Sequence, residues 1–175
     1  MSAAFVLQTL ARMRPGNSIV VEEAPTARPV MQSYMTFTRS QSFFTMDSGG
    51  LGYGMPAAVG VALAKPDHRV IAILGDGSSM YSIQALWSAA QLNLPIVFLI
   101  LNNRRYAALQ EFAPLFGFPA GDSVQGTDLP GIDFVALAQG QGCSALRVQV
   151  SSELEPALTR ALQSTRPVLI ELAIA

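Results

Sequence analysis

Residues 96–102 read IVFLILN, with no polar side chain before the last position. A strand that apolar has no face to give to water, so it belongs in the middle of a parallel sheet covered on both sides. A second apolar strand, residues 69–74 (RVIAIL), runs into Gly75-Asp76-Gly77-Ser78-Ser79. Between the two lies a helical segment, Ile83 to Leu92, whose period places Ile83, Leu86, Trp87 and Ala90 on one face. A helix of about ten residues runs back roughly 15 Å. A strand of about seven residues returns roughly 23 Å, and turns supply the difference. The unit is one right-handed βαβ crossover. It brings Asp76 and Asn103, 27 positions apart, side by side at the carboxyl edge of adjacent or nearly adjacent strands.

The rest of the chain repeats the alternation. Residues 3–13 carry Phe5, Val6, Leu10 and Met13 on a helical period that Pro15-Gly16 ends. Ser18 to Glu22 is a short buried strand, 27–35 a helix broken at its start by Pro29, and 43–46 a short strand. A glycine-rich turn at Gly49–Gly54 leads into a small-residue helix, Pro56 to Ala64. Tyr106 to Phe112 reads as helix and 113–131 as a Gly/Pro-rich loop. Asp133 caps a helix to Gln139, and 144–150 is a strand. Ser152 and Glu155 are spaced for a capping box on a helix to Gln163, and 167–174 is the last strand. The expected fold is α/β, a three-layer sandwich with a mostly parallel central sheet. Ligands of such sheets bind outside the carboxyl ends of the strands.

Composition narrows the function. The 175 residues are 50% hydrophobic and only 13% charged, against the roughly 25% usual for a soluble domain. Eleven basic and twelve acidic residues leave no basic excess for nucleic acid or an anionic membrane. No run approaches the roughly 20 apolar residues of a membrane span. Cys143 has no partner for a disulfide and suits a reducing cytosol, so a cytoplasmic protein is expected. One Cys and one His exclude a Cys/His zinc site. His68 precedes a strand and is expected on the surface, at the edge opposite the carboxyl ends. So few charges also fit a surface partly covered by other protein.

GDG alone reads as an ordinary turn, and NN alone as an ordinary loop. At the ends of two neighbouring apolar strands they read differently. A carboxylate beside an amide oxygen offers two hard ligands for Mg²⁺, which completes its octahedron with phosphate oxygens and water. Gly75 and Gly77 expose backbone N–H groups, and the following helix points its positive end at the same place. The pattern proposes a Mg²⁺–diphosphate cradle.

The segment GDGSSMYSIQALWSAAQLNLPIVFLILNN is similar to the thiamine-diphosphate motif, GDG followed after about 27 residues by NN. SGGLGYGMPAAVGVALAKPDHRVIAILGDG, RRYAALQEF and LPGIDFVALAQGQG resemble the benzoylformate decarboxylase family in register, from about Glu22 to the end. The resemblance covers one domain of that family, the diphosphate-binding (PP) domain, which would occupy residues 1–175. It implies that Asp76, the Asn103 side chain and the Arg105 carbonyl bind Mg²⁺. It implies that Gly75, Gly77 and Ser78 hold the diphosphate, with Thr26 adding a hydroxyl and Tyr106 and Ala107 closing over it. Gly49 matches the glycine whose carbonyl accepts from the cofactor's 4′-amino group. Leu51 matches the residue that wedges under the cofactor and bends it, which makes proton removal intramolecular. Pro25, Ala108 and Phe112 match positions near the substrate; Phe112 reads equally as a core contact.

The resemblance also implies what the chain lacks. The acid that protonates the cofactor's pyrimidine belongs to a separate pyrimidine-binding (PYR) domain, and neither it nor a middle domain is present here. No catalytic side chain is therefore expected in this chain, which should be inactive without a PYR partner from the same or a neighbouring chain, in a homo-oligomer acting on a small 2-oxo acid. Arg104-Arg105 replaces the usual Gly-Thr, Pro25-Thr26 the usual Thr-Ser, and Ala107 a glycine. Three other readings compete. Gly50-Leu51-Gly52-Tyr53-Gly54 superficially matches a dinucleotide fingerprint, but its third glycine falls one position early. An acetolactate synthase-like carboligase or a split sulfopyruvate-type decarboxylase would use the same cofactor. A non-catalytic assembly module would have little need of the Asp76/Asn103 pair.

Overall fold

A computed structural model describes residues 1–119 and 124–175. Helix α1 (Ala3–Met13) leads to β1 (Ile19–Glu23), α2 (Arg28–Tyr34), β2 (Phe43–Thr45) and α3 (Gly54–Ala64). Then come β3 (Val70–Gly75), α4 (Asp76–Met80), α5 (Ala85–Gln91) and β4 (Ile96–Asn102). Helices α6 (Ala107–Phe112) and α7 (Phe134–Gly140), β5 (Ser144–Val148), α8 (Leu154–Gln163) and β6 (Val168–Ala173) complete the chain. A 3₁₀ turn, Ala113–Phe116, lies within the loop expected at 113–131, whose residues 120–123 fall outside the described residues.

The six strands lie in the order β2-β1-β3-β4-β6-β5, and every neighbouring pair is parallel. Alternate side chains feed two cores. Val20, Ile71, Ile73, Val97 and Leu99 pack with α1, α2 and α8. Val21, Ala72, Leu74, Phe98 and Ile100 pack with α3, α5 and α7. All seven residues of β4 are buried, as its composition demands. The fold is the expected three-layer sandwich. After β1 the chain turns through α2 on one face toward β2; after β3 it turns through α4 and α5 on the other face toward β4. The carboxyl ends of β1 and β3 therefore flank the topological switch point, where such sheets open a crevice.

Several local expectations are corrected. GDG is a helix start rather than a turn: Gly75 precedes α4, and Asp76 and Gly77 lie in it. Pro29 does not break α2; it sits in the first turn, where its missing N–H is no loss. The buried stripe of α5 is Ala85, Leu86, Ala89 and Ala90, and Trp87 faces outward at 57% exposure. The Ser152/Glu155 capping box does not form, because a 3₁₀ turn, Ser151–Glu153, precedes α8, and Glu155 instead pairs with Arg12 of α1. Asp133 does cap α7, accepting from the Ala136 N–H at 3.1 Å. His68 lies at the amino edge as expected but is half-buried. Burial pushes the Cys143 thiol up to about 11, and it donates to the Leu86 carbonyl at 3.2 Å, an inert structural thiol. Among the described residues no helix is long and apolar enough to cross a membrane.

The α5 correction is measurable. Leu86→Ala should cost about 2–5 kcal/mol in urea denaturation. Trp87→Ala should cost no more than about 0.5 kcal/mol. The reverse order would return Trp87 to the core.

Candidate functional site

One cavity of about 580 Å³ opens at the switch point. Its walls are the segments that follow β1, β3 and β4, together with the loop before α3. Pro25 and Thr26 come from the first, Gly75 to Ser78 from the second, and Asn103 and Arg105 to Ala108 from the third. Gly49 and Leu51 come from the fourth, and Phe112 from the end of α6. Every residue singled out for the site by sequence therefore lines this one cavity. Arg104, adjacent in sequence, does not.

Asp76 is the most constrained of these groups. The parallel register sets Gly75 beside Leu101, which brings Asp76 to the turn after β4. Its Oδ1 accepts from the Gly77 N–H at 2.7 Å and its Oδ2 from the Arg104 N–H at 2.6 Å. Burial pushes its carboxyl above the usual range, opposed by the N–H groups of Gly77, Arg104, Arg105 and Asn103. Among the described residues it has no ion-pair partner. Two N–H groups offset part of the cost of burying this carboxylate, and a cation beside it would lower that cost further.

The turn after β4 is held from outside. Residues 104–106 bridge to 127–129: the Tyr106 N–H donates to the Thr127 carbonyl at 2.7 Å, and the Leu129 N–H to the Arg104 carbonyl at 2.8 Å. In such an antiparallel pair Arg105, between these bonds, turns its own N–H and C=O away from the bracing segment. Its N–H donates to Asn103 Oδ1 at 3.3 Å, so its carbonyl is directed to the same side as Asn103 and Asp76. Those donors meet the needs of a hard cation: a carboxylate with lone pairs to spare, an amide oxygen and a free-facing carbonyl. No group of three His, Cys, Asp or Glu side chains that could hold a metal occurs among the described residues. A cation here would need further oxygens from its ligand.

Tyr106 packs against α4 so closely that a Cβ at Gly77 would stand 2.2 Å from its ring. Only glycine fits there, and its backbone is left bare to the cavity. Burial first, then Tyr81 and Asp76, hold the Tyr106 phenol above its ordinary pKa, so it stays neutral.

Three buried carboxylates were not foreseen. Glu22 accepts from the Ala24 N–H at 2.5 Å, Arg28 Nε at 2.8 Å and Thr45 Oγ1 at 2.7 Å, fixing the loop that carries Pro25 and Thr26. Glu23 accepts from the Gly52 and Gly54 N–H groups. Glu171 accepts from Asn102 Nδ2 at 2.8 Å and Arg147 Nε at 2.9 Å, while Asn102 Oδ1 receives the Arg104 N–H at 3.0 Å. A signal for them was available: charges inside the apolar strands IVVEE and VLIELA require buried partners.

The family described as "Thiamine pyrophosphate enzyme, C-terminal TPP binding domain" matches residues 26–172. This chain belongs to that family: it is the cofactor-binding C-terminal domain of a thiamine-diphosphate-dependent enzyme. Benzoylformate decarboxylase of Pseudomonas aeruginosa is 44% identical over 95% of this chain and 31% of its own length. Acetolactate synthase isozyme 2 large subunit of Escherichia coli is 30% identical over 98% of this chain and 31% of its own. Among solved structures, the thiamine diphosphate-dependent 4-hydroxybenzoylformate decarboxylase of Rhodococcus jostii superposes with a TM-score of 0.94 at 40% identity. That match covers 99% of this chain and 32% of the other. The chain thus spans about a third of the length of these relatives.

Arg104 has φ +60°, a left-handed conformation fixed on both sides by its N–H and C=O bonds. A side chain there costs about 1–2 kcal/mol. Arg104→Gly should therefore keep or raise thermal stability by up to about 1 kcal/mol, glycine's unfolded-state entropy offsetting part of the relief. A clear loss of stability in calorimetry would show that the arginine side chain itself stabilises the turn.

Proposed function

We propose that this chain is the C-terminal, diphosphate-binding domain of a thiamine-diphosphate- and Mg²⁺-dependent decarboxylase of 2-oxo acids, of the benzoylformate decarboxylase kind. The observation that carries the proposal is the convergence of every expected cofactor residue on one cavity around a buried, unpaired Asp76. Asp76, Asn103 Oδ1 and the Arg105 carbonyl would hold Mg²⁺, whose charge would offset that of the carboxylate. The bare backbone at Gly77 and the Ser78 hydroxyl would face the diphosphate, with Thr26 on the facing wall. Tyr106 and Ala107 close that end. The Gly49 carbonyl would accept from the cofactor's amino group, and Leu51 would support its middle. Bound there, thiamine diphosphate supplies the electron sink for the pair left by loss of CO₂.

Pro25, Ala108 and Phe112 give the substrate end an apolar lining suited to an aryl or alkyl 2-oxo acid. Phe112 and Leu109 stand at the rim more than half exposed, and Leu115 and Phe116 beyond them at nearly 80%. Such an apolar rim fits a covering PYR domain, which would supply the acid and the proton-transfer groups, as part of a homo-oligomer in the cytoplasm. The second reading is acetolactate synthase-like carboligation, favoured by the relative of that name.

Both parts are testable with the PYR domain present on the same or a separate chain. Calorimetric titration should show thiamine diphosphate binding that needs Mg²⁺ and is lost in Asp76→Ala. Tight binding that survives the substitution would remove Asp76 from the metal site. Benzoylformate should release CO₂ faster than pyruvate; acetolactate from pyruvate as the main product would establish the second reading.

A further inference from the structure

The last two residues of β1 are adjacent glutamates whose side chains go to opposite faces of the sheet, as strand alternation requires. Glu22 ties the loop that follows its own strand. Glu23 does something else: it reaches the loop before α3, about 30 residues away in sequence. The residue is 1% exposed. Oε1 accepts from the Gly52 N–H at 2.6 Å, and Oε2 from the Gly54 N–H at 2.5 Å. Among the described residues it has no cationic partner.

The two N–H groups are those of a helix start with no cap of its own. Tyr53, at the N-cap position of α3, supplies no side-chain acceptor. Glu23 takes that role from a neighbouring strand, with the helix dipole favouring its charge. The backbone is shaped around it. A Cβ at Gly54 would stand 2.8 Å from Glu23 Cβ and 3.0 Å from Oε2. Gly52 has φ +100°, which its missing side chain allows.

Leu51 precedes Gly52 directly. The loop carrying it turns at Gly49, with φ +74°, and at Gly52. Apart from the Glu23 bonds, residues 48–52 make one local hydrogen bond among the described residues, Gly50 N–H to Ser48 Oγ at 3.4 Å. Among the described residues, the hydrogen bonds that join this loop to the sheet are therefore those to Glu23.

We infer that Glu23 is a positioning residue: it fixes Leu51 against the middle of the bound cofactor by holding the N–H groups of Gly52 and Gly54. The inference rests on the proposed function of the cavity. Glu23 touches neither cofactor nor substrate; it acts through Leu51. An amide in its place keeps one acceptor and turns an NH₂ toward the other N–H, so one bond is lost, the other loses its charge assistance, and the loop loosens.

The test compares the parent protein with Glu23→Gln, Leu51→Ala and the double variant, each with its PYR domain present. Amide hydrogen exchange at Gly52 and Gly54 is measured without cofactor, then cofactor Kd and kcat with it. In Glu23→Gln, exchange at both amides should rise about tenfold, the scale of one bond to a charged group. Cofactor Kd should stay within about threefold, and kcat should fall about tenfold. In the Leu51→Ala background the same substitution should change kcat less than about twofold, because the residue it acts through is gone. Independent, multiplicative losses in the double variant would overturn the inference, as would unchanged exchange. If Glu23→Gln does not fold, Glu23→Asp, which keeps the charge but shortens the reach, is read by the same three measurements. A parent protein that binds no thiamine diphosphate would instead sink the proposed function, and with it the role given to Leu51. The exchange result would still say whether Glu23 holds the loop.

Discussion

The cavity depends on the parallel pairing of β3 with β4. That pairing is driven by two strands with almost nothing but aliphatic and aromatic side chains, each worth about 1.5–3 kcal/mol when buried. Its register is what sets Asp76 against the turn after Asn102. A slip of one residue would turn every β4 side chain to the other face and break both cores. The hydrophobic pattern thus fixes, at a distance, where a carboxylate and two oxygen acceptors meet. The apolar strands hold the polar site in register without touching a ligand.

Around that pairing, buried carboxylates do the finer placement. Glu22 holds one cavity loop, Glu23 a second, and Glu171 braces the end of β4 through Asn102. Each sits in or beside the apolar sheet with its oxygens satisfied by N–H groups or arginine, the condition under which buried polar groups are tolerable. Asp76 is held in the same way, by the Gly77 and Arg104 N–H groups, while burial pushes its carboxyl above the usual range. What sets Asp76 apart is its place: unlike the three glutamates it lines the cavity, beside Asn103 and Arg105.

Much of this was legible in the sequence, for physical reasons that differ by element. Strands β3 and β4 were readable because a doubly buried strand leaves a continuous apolar run. Asp133 was readable because an N-cap is a local interaction within a few residues. The outward turn of Trp87 was not, since a helical period gives spacing without saying which side the sheet lies on; the small stripe of α5 won because it packs closely. The capping box failed because a 3₁₀ turn moves the start of α8 past Ser152, leaving Glu155 to pair with the distant Arg12. The roles of Glu22, Glu23 and Glu171 were hidden for the same reason: their partners are brought near only by the finished sheet. Arg104 could be recognised as a departure from a glycine, while its left-handed backbone became visible only in the structure.

In the proposed function Asp76, Asn103 and the Arg105 carbonyl form one cation site at the switch point. Its most direct test is anomalous scattering from crystals of the complete enzyme grown with thiamine diphosphate and Mn²⁺ in place of Mg²⁺. The account predicts one strong peak within coordination distance of all three groups. A cofactor bound in the cavity with no peak there, or with the metal on other residues, would contradict it.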